Sequence, residues 1–227
     1  MRVLAIETST ILGGIAVVDN EGLVSEVRFN VSVEHSERLM PEIDHLLRSS
    51  CLTINDIDAF AVSQGPGSFT GLRVGMATLK GLCFATGKPA IGVPTLEAMA
   101  WNFPYAIYPV CPVLDARRAQ VFMALYRWNA HDFITLKGPS VVDRERFIEL
   151  IDSLVGDEPV ILTGNGYIFF KDRERFIIPP PHMLVPSASN VGYLALRLAM
   201  ENRFSDPVTI TPLYLRRSQA EERLQTA

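Results

Sequence analysis

In SQGPGSFTGLRVG, residues 63–75, two glycines and a proline separate an apolar run, DAFAVS, from a helical pattern, GLRVGMATLKGLCFA. A helix start offers unpaired N–H donors and the positive end of a dipole, so such a corner could cradle a phosphate or an acyl group. Ser63 and Ser68 flank it, but the G-x-S-x-G elbow is absent and no histidine is placed by motif as a base. Hydrolysis through a serine therefore has little support. His35 and His45 are ten residues apart, roughly 15 Å of helical rise, too far to share one ion. His131 and His182 stand alone in loop-like sequence. All four histidines read as surface residues, although His35 at a helix start suits a partner contact. Cys51, Cys83 and Cys111 form no C-x-x-C and no even set, as small core residues of a reducing compartment do.

The elements that must position these residues come from a chain of 227 residues, 48% hydrophobic, with a net charge of −4. That is enough apolar material for one large domain or two smaller ones. Lys and Arg are scattered with no basic tract, so an independent grip on nucleic acid is not expected, and RNA would require a partner. Glu7 and the ETST cluster interrupt the apolar N-terminus before a signal peptide is complete, and no segment reaches the roughly 18 uncharged apolar residues of a membrane span. A cytoplasmic protein is the expectation.

RVLAIETS, GGIAVVD and GLVSEVRFNVS read as three antiparallel strands, with Asn20-Glu21-Gly22 as a hairpin turn. HSERLMPEIDHLLRSS has helical spacing through Leu39, Ile43 and Leu46, with Pro41 in its first turns. A buried strand, IDAFAVSQGPG, a helix from about Thr70 to Thr86, the strand KPAIGVPT and the short helix LEAMAWNF follow. This order predicts an α/β layer with a mixed sheet. After Pro104, YPVCPVLDARRAQVFMALYRW echoes LAIETSTILGGIAVVD, which predicts two similar halves, 1–103 and 104–227. DRERFIELIDSLV reads as a helix capped by Asp143, VILTGNGY as a strand entering a turn, and SASNVGYLALRLAMENRF as a further helix of the second half.

A β-β-β-α-β-α opening with a related second half resembles the actin, sugar-kinase and Hsp70-like (ASKHA) fold. Within it, IETSTILGGIAVVD, VSVEHSERLMPEID, SQGPGSFTGLRVGMATLKGL and AIGVPTLEAMA, in this order, closely resemble the TsaB (YeaZ) family, and PLYLRR near Leu213–Arg217 is similar to that family's C-terminal segment. The resemblance implies a non-catalytic companion of the paralogue TsaD, with the small ATPase TsaE joining the pair. Their product is N6-threonylcarbamoyladenosine at position 37 of tRNAs that read ANN codons. TsaD-like proteins begin a metal site with a His-x-x-x-His pair on the helix after PAIGV, where this chain has Thr95 and Met99. A hydroxyl and a thioether cannot replace two imidazoles, so no metal is expected.

Enzymes of the fold place acids where Glu7 and Asp115 stand, but Arg117 and Arg118 replace the glycines that admit a phosphate. Glu7, Thr8, Ser9, Asp115, Gly164 and Gly166 would form a vestigial nucleotide site, with ATP or ADP expected only at a complex interface. An ATPase or kinase-like enzyme is the alternative, and an M22-type peptidase, whose metal ligands are lacking here, a remote one. On the helix after the corner, Leu72, Met76, Leu79 and Cys83 make an apolar stripe and Gly71, Gly75 and Thr78 a small-residue stripe. One side must pack on its own sheet, and the mid-helix glycines suggest a neighbour's close approach on the other. The resemblance supplies TsaD as that neighbour, or a second copy of the chain when TsaD is absent, meeting His35, Leu39, Met40, Ile43, Leu72, Arg73, Met76, Leu79 and Lys80. Alternatively these residues complete an intramolecular core.

Overall fold

The computed structural model describes residues 1–30, 35–130 and 132–216, except for the side chains of residues 35–37. It contains two compact units, 1–98 with 186–212, and 99–185 with 213–216.

The first unit opens with β1 (Arg2–Glu7), β2 (Leu12–Asp19) and β3 (Gly22–Asn30). Asp19 Oδ1 accepts the N–H groups of Glu21 and Gly22 at 3.0 and 3.2 Å, closing the β2–β3 turn. Helix α1 (His35–Ser49) then leads to β4 (Ala59–Gly65), and α2 (Phe69–Thr86) to β5 (Ala90–Pro94) and α3 (Thr95–Ala100). Tight turns give antiparallel pairs and helical crossovers give parallel ones. The sheet is accordingly mixed, in the order β3-β2-β1-β4-β5.

Val3, Leu4, Ala5 and Ile6 are all fully buried, so β1 reads as a continuous apolar run because both faces of the sheet are covered. On one face Leu4, Ile6, Phe60 and Val62 meet Leu39, Leu46, Met76 and Leu79 of α1 and α2. The other face is covered by the last helix, α5 (Ala188–Met200), whose Gly192 approaches so closely that a methyl group there would stand 2.6 Å from Val18 Cγ2.

The second unit holds β6 (Val110–Arg117), β7 (Gln120–Asn129), β8 (Asp132–Asp143), α4 (Arg144–Val155), β9 (Val160–Thr163) and β10 (Phe176–Ile177). Its sheet order, β10-β9-β6-β7-β8, is that of the first sheet read from the other edge. Its core joins Val113, Met123 and Leu162 to Phe147 and Ile151 of α4, with Phe147 and Phe170 stacked at 4.1 Å. Two related α/β units with mixed sheets make this the actin, sugar-kinase and Hsp70-like fold.

The single division expected at 103/104 falls at 98/99 instead, and α5 belongs to the first unit. The physical reason is the second face of the first sheet, which α5 buries. β8 escapes the pattern because Gly138-Pro139 punctuates it. Asp143 does stand at the N-cap of α4, but its carboxylate accepts from Gln120 Nε2 at 3.0 Å instead of capping the helix. Among the described residues no helix is long and apolar enough to cross a membrane.

Candidate functional site

The corner singled out by sequence lies where β1 and β4 end against the start of α2. Ser68 caps that helix, its hydroxyl accepting the Gly71 N–H at 3.3 Å, and its own N–H donates to Ser9 O at 2.7 Å. The glycines face inward. A methyl group on Gly67 would stand 2.3 Å from Ser9 O, one on Gly71 2.0 Å from Thr8 O, and one on Gly75 2.3 Å from Thr8 Oγ1. The close neighbour that these glycines admit is therefore the end of β1 in the same unit, not a second subunit.

Glu7, Thr8, Ser9 and Ser63 are buried together here. Glu7 Oε1 accepts the Ser9 N–H at 2.6 Å and the Ser9 hydroxyl at 2.5 Å, while Oε2 is buried with no well-formed hydrogen bond. Burial pushes the carboxyl up to about 7, held back by the Ser9 bonds and the Ser63 hydroxyl. Ser63 Oγ also accepts the Thr8 N–H at 3.5 Å. Both serines of the corner thus serve the backbone. His45 and His182 are exposed, and the side chain of His35 and the whole of His131 lie outside the described residues.

The second unit repeats the device. Methyl groups on Gly164 and Gly166 would meet Val113 O at 2.2 Å and Val113 Cγ1 at 2.6 Å, and Asn165 Oδ1 accepts the Asp115 N–H at 2.9 Å. The Gly164-Asn165-Gly166 turn is thereby fastened to β6. Asp115 Oδ1 accepts from Arg144 Nη2 and from the Arg117 N–H, both at 2.8 Å. A carboxylate held this way is a poor ligand for Mg²⁺ or water, and the glycines beside it are filled by their own strand.

Thr95 and Met99 are both fully buried on α3. Thr95 Oγ1 accepts the Gly65 N–H at 3.1 Å, and the Met99 methyl packs 3.0 Å from the position of a Gly164 Cβ. The hydroxyl is committed to that hydrogen bond and the thioether to packing, so this pair does not fit a metal ion. Among the described residues no three His, Cys, Asp or Glu side chains gather as ligands.

Of the expected partner contacts, Leu39, Ile43, Leu72, Met76 and Leu79 are buried within the first unit. Met40 is 49% exposed. Arg73 is exposed, with its guanidinium 3.8 Å from the Phe69 ring centroid. Lys80 Nζ donates to Val208 O at 2.9 Å. The outward face of α2 is instead Arg73, Ala77, Gly81, Phe84 and Ala85, with Phe84 65% exposed and open space around the Gly81 α-carbon. Sequence reasoning missed this third face, although its i, i+4, i+8 spacing was there to be read.

A family model described as "TsaD: tRNA N6-adenosine threonylcarbamoyltransferase" matches residues 29–223. The chain is 29% identical to the tRNA threonylcarbamoyladenosine biosynthesis protein TsaB of Escherichia coli, over 99% of this chain and 98% of that one. It is 34% identical to the protein of the same name from Haemophilus influenzae, over 95% and 94%. The solved structure of YeaZ from Pseudomonas aeruginosa superposes with a TM-score of 0.80 at 23% identity, covering 94% of this chain and 99% of that one. The chain belongs to this threonylcarbamoyltransferase family and, within it, to the TsaB proteins of tRNA threonylcarbamoyladenosine biosynthesis.

Proposed function

We propose that the chain is a non-catalytic subunit that binds TsaD and, through that pair, TsaE, for formation of N6-threonylcarbamoyladenosine at position 37 of tRNAs reading ANN codons. The observation that carries the reading is the outward face of α2, where Phe84 is 65% exposed beside Ala77 and Gly81. A mid-helix glycine costs about 1 kcal/mol relative to alanine, and no described residue lies within 4 Å of a methyl group placed on Gly81 to offset that cost. A partner helix at close range would, with Met40 of α1 adding an exposed apolar side chain. The same face suits a homodimer when TsaD is absent. The subunit works in the cytoplasm without a cofactor of its own, ATP or ADP entering only at the subunit contact and tRNA only within the complex. Support for a non-catalytic role comes from Asp115, tied to Arg144, and from the commitment of Thr95 to a backbone hydrogen bond and of Met99 to packing.

The test is titration of TsaD with the parent chain, Phe84→Glu and Met40→Glu, followed by reconstituted tRNA modification. A charge buried in the contact lowers affinity at least tenfold and modification falls with it, while thermal unfolding of the free variants stays at the parent's value. Equal affinity for all three chains, or TsaD working equally well alone, overturns the proposal.

A further inference from the structure

Helix α2 contains no aspartate or glutamate, and its charged residues are Arg73 and Lys80, both cations. Seven residues make about two helical turns and eleven about three. Arg73, Lys80 and Phe84 therefore fall on one line along the outward face of α2, with Ala77 beside them. Lys80 is half-buried, and its Nζ donates to Val208 O at 2.9 Å. A carbonyl is neutral, so this bond fixes where the ammonium sits without cancelling its charge, and the other N–H donors of the ammonium are left over. Among the described residues Lys80 makes no ion pair; the acid next along the chain, Asp206, turns its carboxylate to the Val208 N–H and the Thr209 hydroxyl, at 2.9 and 3.1 Å.

Lys80 and Phe84 stand one turn apart on the same face. A surface that closes over the exposed Phe84 ring must also take water away from the ammonium. An ammonium covered by apolar groups alone is costly, whereas a carboxylate at hydrogen-bond distance offsets that cost. A second copy of the chain is poorly equipped to supply one. In a two-fold contact the same patch meets itself, which brings Arg73 and Lys80 toward their own copies. The α1 acids whose side chains are described, Glu42 and Asp44, are paired with Arg38 and Arg48 of their own helix, each at 3.0 Å.

We infer that Lys80 makes α2 select an acid-bearing partner over a second copy of the chain: the TsaD surface that covers α2 carries a carboxylate within ion-pair reach of Lys80, beside an apolar seat for Phe84. The inference rests on the pairing proposed above and adds the charge that decides between two partners for one face. Because Val208 O already holds the ammonium, pairing immobilises little further side-chain freedom.

TsaD is titrated at low and high salt with the parent, Lys80→Met, Lys80→Glu and Lys80→Arg, and self-association of the same chains is followed by sedimentation. Lys80→Met is expected to weaken TsaD binding about threefold and Lys80→Glu roughly tenfold, both with a flatter salt dependence than the parent. Lys80→Arg keeps the charge and binds TsaD about as the parent does, which separates loss of charge from a change of side chain. Self-association moves the other way: Lys80→Met tightens it, and added salt tightens it for the parent by screening like charges. Parent-like TsaD affinity and salt dependence in Lys80→Met and Lys80→Glu overturn the inference while leaving the functional proposal standing. Self-association that weakens in Lys80→Met, or is lost in Asp206→Asn, would mean that a second copy supplies the carboxylate, and overturns it too. If TsaD binds none of the chains, parent included, the functional proposal falls and this inference with it.

Discussion

Thr8 and Gly75 meet across the β1–α2 contact with room for a hydrogen and nothing larger, since a methyl group on Gly75 would lie 2.3 Å from Thr8 Oγ1. Gly81, six residues later on the same helix, faces open space. Gly75→Ala is accordingly expected to destabilise the fold by about 1–3 kcal/mol through overpacking. Gly81→Ala is expected to stabilise it by up to about 1 kcal/mol. Denaturant unfolding of the two variants checks this, and equal effects of like sign would contradict the packing described.

Glu7 gives stability a pH dependence. Its folded carboxyl titrates near 7 against an ordinary value of 4.5, so the folded state holds the proton more tightly than the unfolded chain. The stabilising contribution is full below about pH 4.5, drains away as pH rises to 7, and changes no further above that. The loss is on the order of 3 kcal/mol. Glu7→Gln removes the titration, so its unfolding free energy relative to the parent rises across that window. Parallel curves for parent and variant between pH 4.5 and 8 would rule out a buried protonated Glu7.

The three thiols separate by environment. Cys51 is exposed, whereas Cys83 and Cys111 are buried, with the Cys83 thiol pushed up to about 11 and that of Cys111 further still by desolvation. Only a thiolate attacks a disulfide reagent. One fast-reacting thiol is expected in the native chain and three in denaturant, and Cys51→Ser abolishes the fast phase.

Leu79 and Phe84 lie on one helix and answer differently to charge. Leu79 is fully buried in the core and Phe84 is 65% exposed. Leu79→Glu is expected to prevent folding by stranding a charge among apolar side chains. Phe84→Glu leaves the circular dichroism spectrum and unfolding temperature within error of the parent. Loss of folding in both would mean that α2 has no free face.

Much of this molecule was legible from its letters. The succession of strands and helices in the first unit, the boundaries of α1 and α2 and the glycine corner follow from periodicity and from the residues that break it. The purpose of the glycines did not, because Gly75 and Gly81 are the same letter in the same helix and only the position of Thr8 tells them apart. Arg73, Met76 and Leu79 likewise belong to one short stretch, yet burial sorts them into face and core. The return of α5 was hidden since an amphipathic helix carries no mark of which sheet it will cover. The positive φ of Arg117, Arg118 and Ala119 in the β6–β7 turn was invisible because propensity predicts where glycine belongs, not where an arginine has taken its place.

Because residues 186–212 complete the first unit, that unit cannot close until residues 99–185 have been made. A nascent chain that has emerged through β5 still presents Val3, Ala5 and Val18 to water, and it must wait for everything in between to leave the ribosome before Gly192 can settle against them. The first sheet gains its second cover only after the strands of the second unit have been made.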